Sequence, residues 1–180
     1  GLLALMELQA SRLHARTGPD GGFVPLTQQN RARWDQLLIH RGLKALARAE
    51  ALGGARGPYA LQAALAACHA RAPRAEDTDW KRIAGLYDTL GLVMPSPVVE
   101  LNRAIAHSMA HGPEAGLVLL AALKDEPALK AYSPLPAARA DCLFRAGRRA
   151  EAKDAFERAA ALTRNERERA FLIARAAACD

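Results

Sequence analysis

Aromatic side chains are scarce in this 180-residue chain, where they make up 5% of the residues and include only two tryptophans. Alternating runs of β-branched residues, which build sheets, are almost absent as well. No apolar run is long enough to cross a bilayer, so we expect no membrane-spanning segment. Alanine, leucine and arginine abound instead, and this mixture favours α-helices that approach one another closely.

Cysteine is also rare, with three residues far apart at Cys68, Cys142 and Cys179. No Cys-x-x-Cys pair is present, which argues against a zinc site and against a disulfide framework. We therefore expect small buried thiols and a cytoplasmic protein, because thiols stay reduced in that compartment.

The first residues, "GLLALMELQASRLHAR", have neither a basic segment nor a cleavage pattern, and so do not resemble a signal peptide. Leu2, Leu5, Met6 and Leu13 recur at helical spacing, which predicts an amphipathic helix. This helix lacks an initiator methionine and a capping residue, so we expect the chain to be a piece of a longer protein.

The net charge of +6 does not predict a nucleic-acid interface, because of how the charges are distributed. Arginines occur from Arg12 to Arg175 with acidic residues among them. No basic block or basic, aromatic-studded strand pattern of the kind that binds RNA is present. The pattern is typical of a solvated surface.

Motifs for catalysis are missing too: the sequence has no Gly-x-Ser-x-Gly, phosphate loop or dinucleotide fingerprint. His107 and His111 have a spacing that can hold a metal. The intervening "SMA" lacks the glutamate of zinc peptidases, and His111 ends a predicted helix, where a cation is favoured in any case. We expect no metal, no cofactor and no enzymatic activity.

Residues 1–92 predict a helical half without repeats. A long second helix begins at Thr27 or Asn30, and a third begins at Pro58 after a glycine. Asp77 or Thr78 caps the fourth helix, which ends at Gly91. A short hairpin is expected near residues 18–26, around Asp20 and two glycines.

Residues 93–180 predict helix pairs that repeat. Ser-Pro opens a helix at residues 96 and 133, and Gly112 and Gly147 end these helices, at offsets of 35 to 37 residues. This is the period of a helix–turn–helix solenoid. The last pair carries the small and large residues of a tetratricopeptide repeat, at Ala140, Leu143, Gly147, Ala152, Phe156 and Ala159. It departs from that repeat at Pro136 and Arg164. In the preceding pair, Ala115, Leu119 and Ala122 fit the second helix of the repeat. A closing helix follows Asn165, with Glu168 completing a capping box. The predicted fold class is all-α, a tetratricopeptide-like array of helical hairpins after a non-repeat half.

Special residues are densest in "CHARAPRAEDTDWKRIAGLY", residues 68–87. Most of this stretch is explained by structure: Cys68 points inward, Asp77 and Asp79 flank a helix start, and Trp80 is the first core residue. Two acids, a threonine and a tryptophan together exceed what a helix cap needs.

The same stretch is similar to a hallmark of the long C-terminal extension of one group of bacterial extracytoplasmic-function sigma factors. The similarity continues in "GLLALMELQASR", "QQNRARWDQLLIHRGL", "GPYALQAALAACHA", "SPVVELNRAIA" and "RNERERAFL", which cover almost the whole chain in the expected order. Asn30 departs from the family, where an acidic residue is expected. The resemblance implies a tetratricopeptide-like domain. It also implies that the regions reading the −10 and −35 promoter elements precede this segment, so that DNA is contacted only through them.

From the resemblance we expect a regulatory, protein-interaction domain of a sigma factor. Its partners would be the preceding regions of its own sigma factor, core RNA polymerase, or both. Ten residues form the expected interaction or structural cluster: Gln29, Arg31, Trp34, Asp35, His69, Asp77, Asp79, Trp80, Asn102 and Arg103. Internal hydrogen bonding alone is the competing interpretation for each. The alternative functions are a free-standing tetratricopeptide-like adaptor and, third, a small-molecule-binding or enzymatic helical domain.

Overall fold

The protein is all-helical, as predicted. The computed structural model describes residues 1–18, 21–22 and 24–180, and these residues form nine α-helices and no strand. They divide into two compact units, Gly1–Pro95 and Ser96–Asp180. The sequence placed this boundary between residues 92 and 93. None of the helices in the described part of the chain combines the length and apolar character that crossing a membrane requires.

The first unit contains helices α1 (Leu2–Ala10), α2 (Gln36–Ala51), α3 (Pro58–Arg71) and α4 (Trp80–Val93). Its main core is built largely from alanine, which lets the helices approach closely. The buried members are Ala4, Leu8, Leu46, Ala60, Ala63, Ala64 and Ala67. The contact between α1 and α2 requires Gly42, since a Cβ atom there would lie 2.7 Å from Leu8 Cγ.

The face that α1 buries differs from the predicted one. Leu2 and Met6 of α1 and Leu13, which follows it, are 50%, 61% and 57% exposed, and Leu5 packs partly against the core. The buried residues of the helix are Ala4, Glu7 and Leu8. The reason is the short distance to α2, which admits small residues better than a row of large ones. Glu7 is tolerated there because it forms an ion pair with Arg41 at 2.5 Å.

The second helix is long, as predicted, but the start that the sequence predicted for it is wrong. Residues after Pro25 form two 3₁₀ turns, Leu26–Gln28 and Arg31–Arg33, and α2 begins only at Gln36. Asn30 caps the second turn by accepting the Ala32 N–H, and Asp35 caps α2 by accepting the Leu38 N–H at 3.0 Å. Short polar side chains that bind nearby N–H groups favour such starts over a continuous helix.

The hairpin expected near residues 18–26 rests in part on residues outside the described ones, Asp20 among them. Two backbone hydrogen bonds join described residues before and after them. The Gly18 N–H donates to the Gly22 carbonyl at 2.9 Å, and the Val24 N–H donates to the Arg16 carbonyl at 3.1 Å.

The second unit contains helices α5 (Pro97–His111), α6 (Pro113–Ala121), α7 (Pro134–Arg145), α8 (Arg149–Leu162) and α9 (Glu166–Ala177). The pairs α5–α6 and α7–α8 pack side by side, and α9 packs on α8. Gly112 and Gly147 turn the chain within the pairs with φ of 98° and 77°, values that favour glycine. The predicted repeat positions of the last pair lie in one core: Ala140, Leu143, Ala152, Phe156 and Ala159.

Two details of this unit differ from the sequence-based expectations. In α6 the buried positions are Gly116 and Leu120, because Gly116 lies so close to α5 that a Cβ would meet Ser108 Cβ at 2.3 Å. Glu168 does not complete a capping box. Its carboxylate instead accepts hydrogen bonds from Ser133 Oγ at 3.1 Å and Thr163 Oγ1 at 2.7 Å, which ties the start of α7 to the start of α9.

Candidate functional site

Arg31 is the centre of the polar cluster in the first unit. The 3₁₀ turn that begins after Asn30 points its side chain inward, and it is 9% exposed. Nη1 donates to the carbonyls of His69 and Ala72 at 2.5 and 2.7 Å, and Nη2 donates to Thr78 Oγ1 at 2.9 Å. One guanidinium therefore fixes the end of α3 and the connection from α3 to α4.

Trp34 packs its indole ring against this guanidinium. Its indole is 3% exposed, with Arg31 Cζ 5.1 Å and Arg12 Cζ 5.9 Å from the ring centroid, distances at which cation–π attraction acts. Burial, together with the neighbouring Arg16 and Arg31, lowers the pKa of Arg12 to about 10. No ion pair joins Arg12 or Arg31 to a carboxylate within the described residues.

His69 and Trp80 form the next layer of the cluster. Their rings meet edge to face with centroids 5.3 Å apart. Trp80 is only half-buried and is therefore not the core residue that the sequence suggested. Burial, helped by the charges of Arg12 and Arg31, lowers the pKa of His69 to about 4. The imidazole is consequently neutral at physiological pH.

The two aspartates before α4 have separate structural roles. The predicted cap at Asp77 or Thr78 is wrong, because Asp79 caps the helix and accepts the Arg82 N–H at 2.9 Å. Asp77 instead accepts two hydrogen bonds from Arg74, both at 2.9 Å, and this partner lowers the pKa of the Asp77 carboxyl.

The remaining predicted residues are not joined to Arg31 by hydrogen bonds. Gln29 Nε2 donates to the Val24 carbonyl at 3.1 Å, and Asp35 caps α2. Asn102 and Arg103 lie on α5 in the second unit, where Arg103 Nε donates to Glu100 Oε2 at 2.9 Å. The structure thus unites Arg31, Trp34, His69 and Trp80 out of the predicted set.

Arg12 and Thr78 belong to this cluster but were missed at the sequence level. Thr78 was considered only as a helix cap, whereas its hydroxyl is the acceptor for Arg31. The sequence around Arg12 does not indicate a special role, since one arginine after a helix looks like any other surface residue. Only the long-range packing against Trp34 reveals it.

Both histidines whose spacing could hold a metal ion lie on α5 in the second unit. The rings of His107 and His111 lie 5.4 Å apart at an angle of 41°. Throughout the described residues, no group of three or more His, Cys, Asp or Glu side chains is placed to hold a metal ion.

The second unit has a surface groove of about 520 Å³ between α6, α7, α8 and the 3₁₀ turn Pro127–Leu129. Leucines provide much of its apolar lining: Leu120, Leu129, Leu135 and Leu162. Four cations also line it: Lys124, Lys130, Arg139 and Arg158. In the described part of the chain none of these four is in an ion pair. Asp125 and Glu126 are the acidic residues of the lining, and Glu126 is engaged in capping the 3₁₀ turn.

Residues 1–50 match a family of unknown function, DUF6596. Over 173 residues the chain is 43% identical to an uncharacterized protein of Rhizobium meliloti (strain 1021), in an alignment that covers 96% of this chain and 40% of that protein. The chain therefore spans well under half the length of this curated relative. No solved structure matches the chain. Neither similarity states an activity or a partner.

Proposed function

We propose that this chain is the regulatory, protein-binding extension of an extracytoplasmic-function sigma factor, and that it is not an enzyme. The sigma-factor assignment rests on the ordered sequence motifs. The observation that carries protein binding is the groove of the second unit, where an apolar lining is surrounded by four cations without ion-pair partners in the described residues. Grooves of this kind receive amphipathic helices in many protein complexes.

The charge of the groove defines its partner. With Lys124, Lys130, Arg139 and Arg158 against Asp125 and Glu126, the lining is cationic. A partner helix with a leucine-rich face and flanking carboxylates complements both properties, and such charges raise the association rate and the specificity. Among the expected partners, we place the helical regions that precede this segment in the sigma factor first, with core RNA polymerase second.

Calorimetric titration of the chain with recombinant sigma regions, supplied in trans, tests this proposal. We expect saturable binding that weakens as salt is raised, because exposed charges are screened. The double variant R139E/R158E reverses two groove charges and should weaken binding by roughly a hundredfold, about 1.4 kcal/mol for each reversed charge.

The matched control is R164E/R167E. Both arginines are exposed in the same unit and lie outside the groove, and the change in net charge is identical. This control should bind like the unmodified chain. Equal losses in the two double variants would show that net charge alone attracts the partner. Failure of the folded chain to bind either sigma regions or core polymerase would contradict the sigma-factor proposal and favour a free-standing adaptor.

A further inference from the structure

A second cavity lies within the first unit, between α1, α3 and α4, and has a volume of about 180 Å³. A cavity of this size holds several waters or one small organic molecule, and it is smaller than sites for drug-sized ligands. Its lining is divided in character. Leu5, Leu26, Leu65, Ala66 and Ile83 are apolar, whereas Gln9, Arg12, Gln62, His69 and Tyr87 are polar.

The polar groups of the lining have unused hydrogen-bonding capacity. Of the five, Gln9 has its side-chain oxygen occupied, by Arg12 and Arg16. Arg12 uses only Nη2 in that bond, and its buried Nε has no hydrogen-bond partner among the described residues, nor has Nδ1 of His69. Within the described residues, the side chains of Gln62 and Tyr87 also form no hydrogen bond. Buried polar groups without partners are unusual in proteins and mark places where a ligand or ordered water belongs.

The electrostatic character of the cavity selects a negative ligand. Arg12 contributes a cation, Arg31 adds a second positive charge close by, and no carboxylate of the described residues lines the cavity. Among the described carboxylates, Glu76 and Asp77 act on Arg31 from a distance while both pair with Arg74, and Glu7 pairs with Arg41. A partly buried guanidinium without an anion gains most from a ligand that supplies one, since charge-assisted hydrogen bonds are the strong ones.

We propose that the cavity of the first unit binds a small aliphatic monocarboxylate. Its carboxylate would accept hydrogen bonds from Arg12 and from the polar side chains of Gln62 and Tyr87. Its short hydrocarbon chain would lie against Leu65, Ala66 and other apolar residues on the opposite side. Phosphate would satisfy only the polar half of this lining, and a neutral amide would leave Arg12 without its anion.

Titration of the 180-residue chain with sodium butyrate, followed by tryptophan fluorescence, tests the proposal. Trp34 contacts Arg12 and Trp80 contacts His69, so both tryptophans of the chain report on this site. At constant ionic strength, butyrate should give a saturable change with a Kd of about 1 mM. Butyramide, which has the same shape without the charge, should bind at least about tenfold more weakly. Inorganic phosphate should also bind more weakly than butyrate.

Two variants and one control locate the binding. R12Q should weaken butyrate binding about tenfold or more, whereas R16Q should leave it unchanged. Arg16 also donates to Gln9 but does not line the cavity, which makes it the matched control. A66M keeps every charge and fills the cavity, so it should abolish binding. This variant tests the proposal independently of whether R12Q folds. The proposal is overturned by equal responses to butyrate and butyramide, by tighter binding of phosphate, or by unchanged binding in A66M.

Discussion

With Arg31 replaced by methionine, the first unit should unfold at a much lower denaturant concentration. The change removes three hydrogen bonds from a charged donor and leaves the acceptors at His69, Ala72 and Thr78 without their partner. Each such bond contributes about 1.5–3 kcal/mol, and part of that sum is offset because the buried guanidinium no longer has to be desolvated. Methionine also retains apolar contact with Trp34. We expect a net loss of about 3 kcal/mol.

Urea unfolding followed by tryptophan fluorescence measures this loss directly, because Trp34 and Trp80 both belong to the first unit. With a slope of about 2 kcal/mol per molar urea, the midpoint should fall by about 1.5 M. The urea midpoint of Arg31→Lys should lie between those of the unmodified chain and Arg31→Met. An ammonium cannot reach all three acceptors, which the forked guanidinium of arginine does.

Arg33 provides the matched control for this experiment. It lies in the same 3₁₀ turn but is exposed, and the one hydrogen bond that its side chain forms within the described residues, to the Thr17 carbonyl, is 3.4 Å long. Arg33→Met should change stability by less than about 0.5 kcal/mol. Similar midpoints for the Arg31 and Arg33 variants would refute the central structural role given to Arg31.

Three further predictions concern caps, packing and pH. Asp79→Ala should lower the free energy of urea unfolding by about 1 kcal/mol because the helix cap is lost. Asp77→Ala removes an exposed ion pair and should leave the urea midpoint unchanged. Equal effects of the two substitutions would contradict the separate roles of the aspartates. Gly116→Ala should destabilise by about 1–3 kcal/mol in thermal melts followed by circular dichroism, because its Cβ would meet Ser108 at 2.3 Å. Gly85→Ala, with open space around it, should not destabilise, and similar losses at both glycines would argue against a packing cause. Burial, helped by the charges of Arg12 and Arg31, lowers the pKa of His69 in the folded state to about 4, from its ordinary 6.5. The unfolded state therefore binds more protons between these values, and stability should fall by about 2 kcal/mol from pH 7.5 to pH 5. His69→Gln should remove that part of the pH dependence. The same dependence of stability on pH in the variant and in the unmodified chain would show that folding does not lower the pKa of His69.

The second unit was predictable from the sequence because its determinants are local. Proline at a first helical turn, glycine after a last one, and the spacing of Ala140, Leu143, Ala152 and Phe156 fix the last helix pair before any long-range contact is known. The register of α6 escaped prediction, since Gly116 is buried only because α5 comes so close.

The first unit was harder to predict because its determinants are long-range. The row of large residues on α1 predicted the wrong buried face, as the close approach of Gly42 to Leu8 decides the orientation. Thr27 and Asn30 were the predicted starts of the second helix, and the sequence does not reveal that the buried Trp34 ends a short 3₁₀ turn and that α2 begins only after Asp35. The cluster shows the same limit: Arg31 and His69 were identified by the family motifs, but Arg12 and its cavity appear only when α1, α3 and α4 are packed.

Site-specific photo-cross-linking from the groove tests the proposed function most directly. A benzoylphenylalanine at Leu135, in the lining of the groove, should cross-link to purified sigma regions or to core polymerase. The same group at Ile173, which is 54% exposed on α9 and outside the groove, should not. The R139E/R158E background should suppress the cross-link at Leu135. Absence of a cross-link from Leu135, or equal cross-linking from Leu135 and Ile173, would contradict the account.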